Sequence, residues 1–470
     1  MKSFLILNRG ATWCLVITFG LAVFLLMVGC VNKPTAWSKI RNATLVIPKR
    51  YGTTPPPVPE VTQGLLTLFA DDRLRQFVDH ALSHNPDLHA SAARLEEAGF
   101  NIRKAYASTI PSLSANGGGS RSQMLLGGAS SRGNRFSLAL DTQWEIDVWG
   151  RIRAGVAAAS RDRSAAISDD ASARQSMAAQ TMQAYFDQLA AEKRMLLSRR
   201  RLASFQKSYQ LVNRRFEAGT GDLGELDLAL TDVENTRAQL SRRRDARDQA
   251  ARRLAVLTGR YPNASPSSSS RSWPSLRRGV RAGIPSDLLM RRPDIDAAYQ
   301  RIRAADSRVT VAHRDLYPRF SLTASAGNQS ATLKGITDSP FNVWSMTGGL
   351  VAPLLDGGRR RAELGAANAR AKQALAAYQS TVLNAFREVE NALGSEQYLR
   401  RQEQSTRKAL TAARSAEARI RRNYESGLVE ILTLLDTQRR SFDTEESLID
   451  IQSIRSKNRV TLALALGTGL

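Results

Sequence analysis

Over residues 135–148 the side chains alternate strictly in character. Phe136, Leu138, Leu140, Thr142, Trp144, Ile146 and Val148 fall on one face, and Ser137, Ala139, Asp141, Gln143, Glu145 and Asp147 on the other. A period of two predicts a strand. A file of acidic and amide groups opposite an aromatic and aliphatic file predicts a strand with lipid outside and water inside. A half-buried soluble sheet alternates as well, and that alternative stays open here. Residues 112–120 supply a partner strand, and the Gly/Ser-rich segment to Asn134 reads as the loop between them. Downstream, Phe320, Leu322, Ala324 and Ala326 alternate with Ser321, Thr323 and Ser325, and residues 341–355 mirror the strand that contains Trp144. That makes four strands. Four cannot close a barrel, and an open edge cannot sit in lipid, so a chain whose strands span a membrane must oligomerise.

Elsewhere the period is helical. Residues 72–110 read as helix up to Pro111, and residues 150–218 and 358–426 contain no proline. At 1.5 Å per residue each of these long runs approaches roughly 100 Å. Leu202, Phe205, Tyr209, Val212 and Phe216 recur at spacings of three and four, a seam for partner helices. Gly219 and Gly427 stand where left-handed caps are expected, and a second helix runs back from each, over 223–257 and 430–466. The result is two antiparallel hairpins.

The same order of elements is written twice. Asn85-Pro86-Asp87-Leu88 returns as Arg292-Pro293-Asp294-Ile295, and Pro111 and Pro318 lie 207 residues apart; Gly150 and Gly358 lie 208 apart. A single register drift over so long a span indicates duplication of a whole unit. The segments are therefore a first repeat over 72–258, a Ser/Pro/Arg-rich linker or equatorial region over 259–287, and a second repeat over 288–470.

The N-terminus carries a processing signal at 1–29: Lys2 and Arg9 precede an apolar run that stops at Gly29-Cys30. Met27-Val28-Gly29-Cys30 has the form of a lipobox, in which Cys30 is diacylated; an ordinary signal peptide with a chance cysteine is the alternative. Residues 30–71 then form a lipidated, extended leader. Cys14 lies in the removed segment, so no internal disulfide is expected. Lys and Arg number 67 against 43 Asp and Glu, a formal charge of +24. The runs Arg199-Arg200-Arg201, Arg242-Arg243-Arg244 and Arg359-Arg360-Arg361 sit in long helices among acids and without clustered aromatics. They read as solvated coiled-coil faces, and no nucleic acid partner is expected.

The words Ile284-Pro285-Ser286-Asp287-Leu288-Leu289-Met290-Arg291-Arg292-Pro293-Asp294-Ile295, Leu316-Tyr317-Pro318, Pro353-Leu354-Leu355-Asp356-Gly357-Gly358-Arg359 and Leu434-Leu435-Asp436 occur in that order. On them the chain resembles the TolC-type outer-membrane efflux factors, most of all the NodT/OprM-like lipoprotein branch, over about residues 30–470. The resemblance implies a mainly α chain with a membrane β-barrel, in which a homotrimer forms twelve strands continued by a periplasmic helical tunnel. It implies a passive efflux duct in the bacterial outer membrane, in contact with lipid and working with a periplasmic adaptor and an inner-membrane RND-type transporter. Pro111, Gly150, Pro318 and Gly358 then mark the barrel-to-helix transitions.

In that family a ring of aspartates near the hairpin tips keeps the tunnel shut. Carried over residue by residue, Asp436 is the gate aspartate, Leu432 the constricting apolar position and Tyr424 the tyrosine before the turn. Asp227 is a weaker candidate in the first hairpin, where Leu228 is the counterpart of Asp436. Val429 stands where TolC has an arginine, so a tyrosine–arginine lock of that form is not expected. The alternative for Asp436 is a helix-surface residue paired with Arg439 or Arg440.

His80 and His84 lie one turn apart with no third ligand in view, and read as surface histidines. Gly117-Gly118-Gly119 leads into no helix and reads as a turn. No nucleophile, base and oxyanion set is present, so neither enzyme activity nor a cofactor or metal is expected. A protein-secretion duct of the same fold and a pore-free periplasmic coiled-coil scaffold remain as alternative readings.

Overall fold

The structure is a computed structural model that describes residues 51–52, 64–126, 129–263, 273–274, 285–337 and 342–469. The expected signal peptide, Cys30 and most of the leader lie outside them. In chain order come α1 (Asp72–His84), α2 (Pro86–Ala107), β1 (Ser112–Leu126), β2 (Ala129–Ile146), α3 (Arg151–Glu217) and α4 (Leu223–Leu257). They are followed by α5 (Leu288–Arg291), α6 (Pro293–Arg314), β3 (Arg319–Ser330), β4 (Asn342–Val351), α7 (Arg359–Glu425) and α8 (Ile431–Ala465). Two compact units partition this chain, and both draw on both repeats: one holds residues 105–158 and 302–375, the other 47–104, 159–301 and 376–470.

The first unit is built on one antiparallel sheet in the order β1–β2–β3–β4. The register puts Leu140 opposite Ala115 and Ala326, and Phe320 opposite Leu350, so the apolar files of all four strands share a face. Leu138, Leu140, Trp344, Met346 and Leu350 on that face are exposed. The β1–β2 hairpin is longer than expected: β1 runs to Leu126 and β2 starts at Ala129, so most of the Gly/Ser-rich segment expected as loop is strand. Gly117-Gly118-Gly119 is likewise strand and not turn, paired with Leu138, Ser137 and Phe136. A Cβ at Gly119 would stand 3.1 Å from the Phe136 ring, so the missing side chain makes room for a neighbouring aromatic. Both differences have one cause: ladder bonds are made by the backbone, and small residues carry no side-chain period.

β2 also stops earlier than its alternation, at Ile146. Asp147 leaves the polar file to accept the Ile152 and Arg153 backbone N–H groups at 3.0 and 2.9 Å, capping α3 and turning the chain. In the second repeat β4 ends at Val351, and Leu354 and Leu355 lie beyond it fully in the open. Beneath the sheet, Ala305, Val309 and Ala312 of α6 pack on Ala367 and Ala371 of α7, an alanine seam that lets the two helices approach closely.

The second unit is helical. Expected as one helix, residues 72–110 break at Asn85, whose φ of −73° and ψ of 126° are extended. Pro86 forbids the helical conformation to the residue before it, and Pro293 does the same to Arg292. Each break is then used. Asn85 donates from Nδ2 to the Leu257 carbonyl at 2.8 Å, and Arg292 donates to the Ala465 carbonyl at 3.2 Å while pairing with Asp294 and Glu388. Repeat-equivalent residues thus close repeat-equivalent helix ends. Residues 64–71, expected as the end of an extended leader, instead pack: Leu65, Leu68 and Phe69 are buried, and the Phe69 ring lies 4.7 Å from Phe186. Their apolar spacing of three and four is the reason. From the linker, Trp273 stacks on Phe186 and donates to Ser456 Oγ at 2.8 Å.

The long helices match expectation closely. Both α3 and α7 have 67 residues, and α4 spans the residues expected of it. Gly219, at φ 69°, lets the Thr220 N–H reach back to the Arg215 carbonyl at 2.9 Å; Gly427 does the same for Leu428 and Asn423. α3 and α8 lie antiparallel in a fixed register: Lys457–Asp187, Arg194–Asp450, Arg200–Glu445 and Arg201–Asp443 follow one another along the pair. Arg243 of α4 pairs with Glu446. Arg200, Arg201 and Arg243, from the first two arginine runs, therefore pair with acids on a neighbouring helix, whereas Arg360 of the third pairs with Asp356 in the turn before its own helix.

Two ion clusters fasten the second hairpin. Glu396, almost fully buried, accepts from Arg455 and Arg459, and Glu403 bridges Arg455 and Arg407. Glu445 joins three helices by pairing with Arg200 of α3 and Arg414 of α7. Burial pushes the Glu445 and Glu403 carboxyls up, but their paired guanidiniums outweigh it and hold both below the ordinary 4.5. A carboxylate depressed in the folded state contributes stability above its unfolded pKa and loses it as pH falls through the folded value. The thermal unfolding midpoint, followed by circular dichroism, should therefore stay level from neutral pH to about 5 and fall below about 4.5. Glu445→Gln should lower the midpoint at pH 7 and make the acid fall shallower.

Candidate functional site

The ends of both hairpins share one apolar cluster. Phe205 and Val212 of α3, Ala229 and Val233 of α4, Tyr424 of α7 and Ile431, Leu434 and Leu435 of α8 are buried together, with Leu202, Tyr209 and Val429 packed against them. The heptad seam read from the sequence thus closes on the other hairpin, except that Phe216 is exposed at its end. Polar contacts fix the pairing. Ser208 and Gln438, both buried, hydrogen-bond across the hairpins at 3.1 Å, and Arg439 pairs with Asp232 at 2.7 Å. Asp222 caps α4 by accepting the Gly224 N–H at 2.8 Å.

Tyr424, 2% exposed, belongs to the packing of this cluster. Its hydroxyl is buried with no hydrogen-bond partner among the described residues, and the Arg215 guanidinium sits 5.3 Å from its ring centroid. The cation that Val429 does not supply comes from the opposite hairpin. Asp436 lies on the outer side of α8, its side chain about half exposed, and pairs with Arg440 at 2.8 Å. Within one chain this is the surface-pair arrangement expected as the alternative. Leu432 is also exposed, one helical turn before Asp436, so the two share a face that the chain leaves open. Asp227 is exposed on α4. The structure therefore brings Tyr424 into the shared core, and leaves Asp436, Leu432 and Asp227 at the surface.

Arg215, Ser208, Gln438 and the Asp232–Arg439 pair were not singled out by sequence reasoning. One signal was available: the repeat aligns Asp232 with Arg440, opposite charges at equivalent positions of hairpins that must pack together.

In the sheet unit, Pro111 immediately precedes β1 and Pro318 precedes β3, where its carbonyl accepts from Trp149 Nε1 at 2.7 Å. Gly150 and Gly358 start α3 and α7 with φ of 76° and 84°. Around Gly150, Arg151 pairs with Glu145 at 2.8 Å and Arg314 donates to the Gly150 carbonyl at 2.5 Å. His80 and His84 stack with centroids 4.2 Å apart, and His80 Nδ1 lies 2.9 Å from the Thr258 carbonyl.

A two-faced antiparallel sheet with free outer strands, in a chain otherwise made of paired long hairpins, defines the class of outer-membrane efflux factors. The chain belongs to the outer membrane efflux protein family, which it matches twice, over residues 77–260 and 284–468. It is 35% identical over 412 residues to outer membrane protein OprJ of Pseudomonas aeruginosa, covering 86% of this chain and 85% of that one. Cation efflux system protein CusC of Escherichia coli K12 is 28% identical over 406 residues, covering 86% and 89%. The solved structure of the outer-membrane channel OprN superposes with a TM-score of 0.82 at 27% identity, over 91% of this chain and 98% of that one.

Packing separates the tip residues. Tyr424→Ala should cost about 3–5 kcal/mol of unfolding free energy by emptying the shared cluster. Asp436→Ala, which breaks only an exposed pair, should change it by no more than about 0.5 kcal/mol. Denaturant unfolding of the two variants side by side measures both.

Proposed function

We propose that the chain is the passive outer-membrane channel of a tripartite efflux pump. Three copies close their sheets into one twelve-stranded barrel, and their hairpins form a tunnel into the periplasm. The observation that carries this reading is the sheet itself: one face apolar and exposed, the other lined by Ser, Thr, Asn and Asp, with two outer strands unpaired within the chain. Lipid satisfies the first face and water the second, and only closure satisfies the edges. No helix among the described residues is long and apolar enough to cross a membrane.

The family context supports an inner-membrane RND-type transporter and a periplasmic adaptor as partners. The chain has no catalytic role; direction and energy come from the transporter. Small molecules are the class of cargo. Cys30 carries the acyl anchor to outer-membrane lipid. At the tips, three-fold symmetry brings the exposed Asp436 and Leu432 faces of α8 together as a constriction that attracts cations and narrows the path. Asp227 lines the same opening from the first hairpin. Tyr424 acts behind them by holding the two hairpins in register.

Purified channel in planar bilayers tests the gate. Asp436→Ala should raise single-channel conductance and weaken block by multivalent cations applied from the periplasmic side. Unchanged conductance together with unchanged block would remove Asp436 from the gate.

A further inference from the structure

Charge is spread unequally over the two faces of the sheet. The register puts odd-numbered residues of β1 and even-numbered residues of β2, β3 and β4 on the apolar face. Arg135, Asp141, Glu145 and Arg319 have the opposite parity and belong to the polar face. Of the charged residues in the four strands, only Arg121 of β1 and Arg132 of β2 fall on the apolar face, and both are exposed. They are diagonal neighbours at the strand ends away from the helices, with Arg121 opposite Asn134 and Gln123 opposite Arg132. Arg132 Nε donates to Gln123 Oε1 at 3.0 Å, which holds its guanidinium across the hairpin on that face.

The apolar belt sets their depth. On β2 it runs from Ile146, opposite Phe320, out to Phe136, and near its inner end Trp144 donates its indole N–H to the Thr109 carbonyl at 3.1 Å. About ten residues at about 3.3 Å each, tilted by about 40°, rise about 25 Å, the height of the lipid-facing band of an outer-membrane barrel. On the same scale Arg121 stands about 5 Å and Arg132 about 10 Å beyond Phe136, at the level of the headgroups.

The surroundings supply no counter-charge. Residues 108–140 contain Arg121, Arg132 and Arg135 and neither Asp nor Glu. The β3–β4 loop adds a cation on the same side. Asn328 and Ser330 have the parity of the apolar face; Asn328 Nδ2 donates to the Ile336 carbonyl at 2.6 Å, and Gly335 is buried against Ser330. That fold of the loop sets the exposed Lys334 on the outer rim.

We propose that Arg121 and Arg132, with Lys334 on the same rim, bind the phosphate groups of a phosphorylated glycolipid in the outer leaflet. Guanidinium groups take phosphate through paired N–H donors. The acyl chains of the same lipid lie along Phe136 and the exposed Leu138 and Leu140 below. A soluble anion would answer the charges but not the apolar face that continues beneath them, so the site suits a phosphate tethered to hydrocarbon. This rests on the barrel reading and adds the lipid chemistry that its outer rim selects.

Native mass spectrometry of the full-length trimer in detergent tests the site, with diphosphorylated lipid A and its dephosphorylated form as probes. Arg121→Gln with Arg132→Gln should weaken binding of the diphosphorylated probe roughly thirtyfold, about fivefold for each charge at a membrane surface, and leave retention of the dephosphorylated probe unchanged. Arg121→Lys with Arg132→Lys, which keeps the charge without the paired donors, should fall between. Arg135→Gln, on the polar face, should change nothing. Equal binding by the wild type and the double Gln variant, an equal loss with Arg135→Gln, equal retention of the dephosphorylated probe, or displacement of the lipid by millimolar inorganic phosphate would overturn the site. Migration on an unheated gel is read in parallel. A wild-type chain that is monomeric in membranes would overturn the barrel reading, whereas a trimer without phosphate selectivity overturns the lipid site alone.

Discussion

A four-stranded sheet has two edges, and on those edges every second backbone N–H and C=O lacks a partner. In water such groups are solvated at no great cost; in hydrocarbon each costs several kcal/mol. β1 and β4 are the outer strands of this sheet, and one of its faces is an exposed file of Leu, Met and Trp. The apolar face calls for lipid and the edges forbid it unless they are paired. Everything distinctive in the chain answers that conflict, from the repeat that makes β4 a counterpart of β2 to the helices that anchor the strand ends.

The repeat is economical because its two halves solve the same local problems with different residues. Asn85 and Arg292 both occupy a proline-enforced break and both bind the last turn of a returning helix, one with an amide and the other with a guanidinium that also recruits Asp294 and Glu388. What is preserved is the position of a donor and not its chemistry. The halves diverge most at the hairpin ends, where Leu228 answers Asp436 and the tyrosine of one hairpin takes its cation from the other.

Much of the architecture was legible in the sequence. The ends of the four long hairpin helices could be read to within a residue because glycine caps and the absence of proline act locally, and the strand containing Trp144 announced itself by alternation. The longer β1–β2 hairpin could not be read, since Gly117 to Gly119 and the serines after them carry no periodic side chain. The break at Asn85 was visible in Pro86 but was overridden by the helical pattern on either side. At the hairpin ends, the residues that could be named were those with a word around them, such as Asp436. Ser208, Gln438 and Arg215 became visible only in three dimensions, because their partners stand more than 200 residues away.

The ladder of contacts between α3 and α8 has a mechanical consequence. Its pairs succeed one another along the two helices, so sliding one hairpin past the other would break all of them at once. Peeling the hairpins apart from the tip breaks them singly, beginning with the Ser208–Gln438 bond and the Arg439–Asp232 pair beside it, and reaching the ion pairs of α3 with α8 only later. The assembly is stiff in shear and compliant in bending, and the compliant end is the one that carries Tyr424, Leu432 and Asp436.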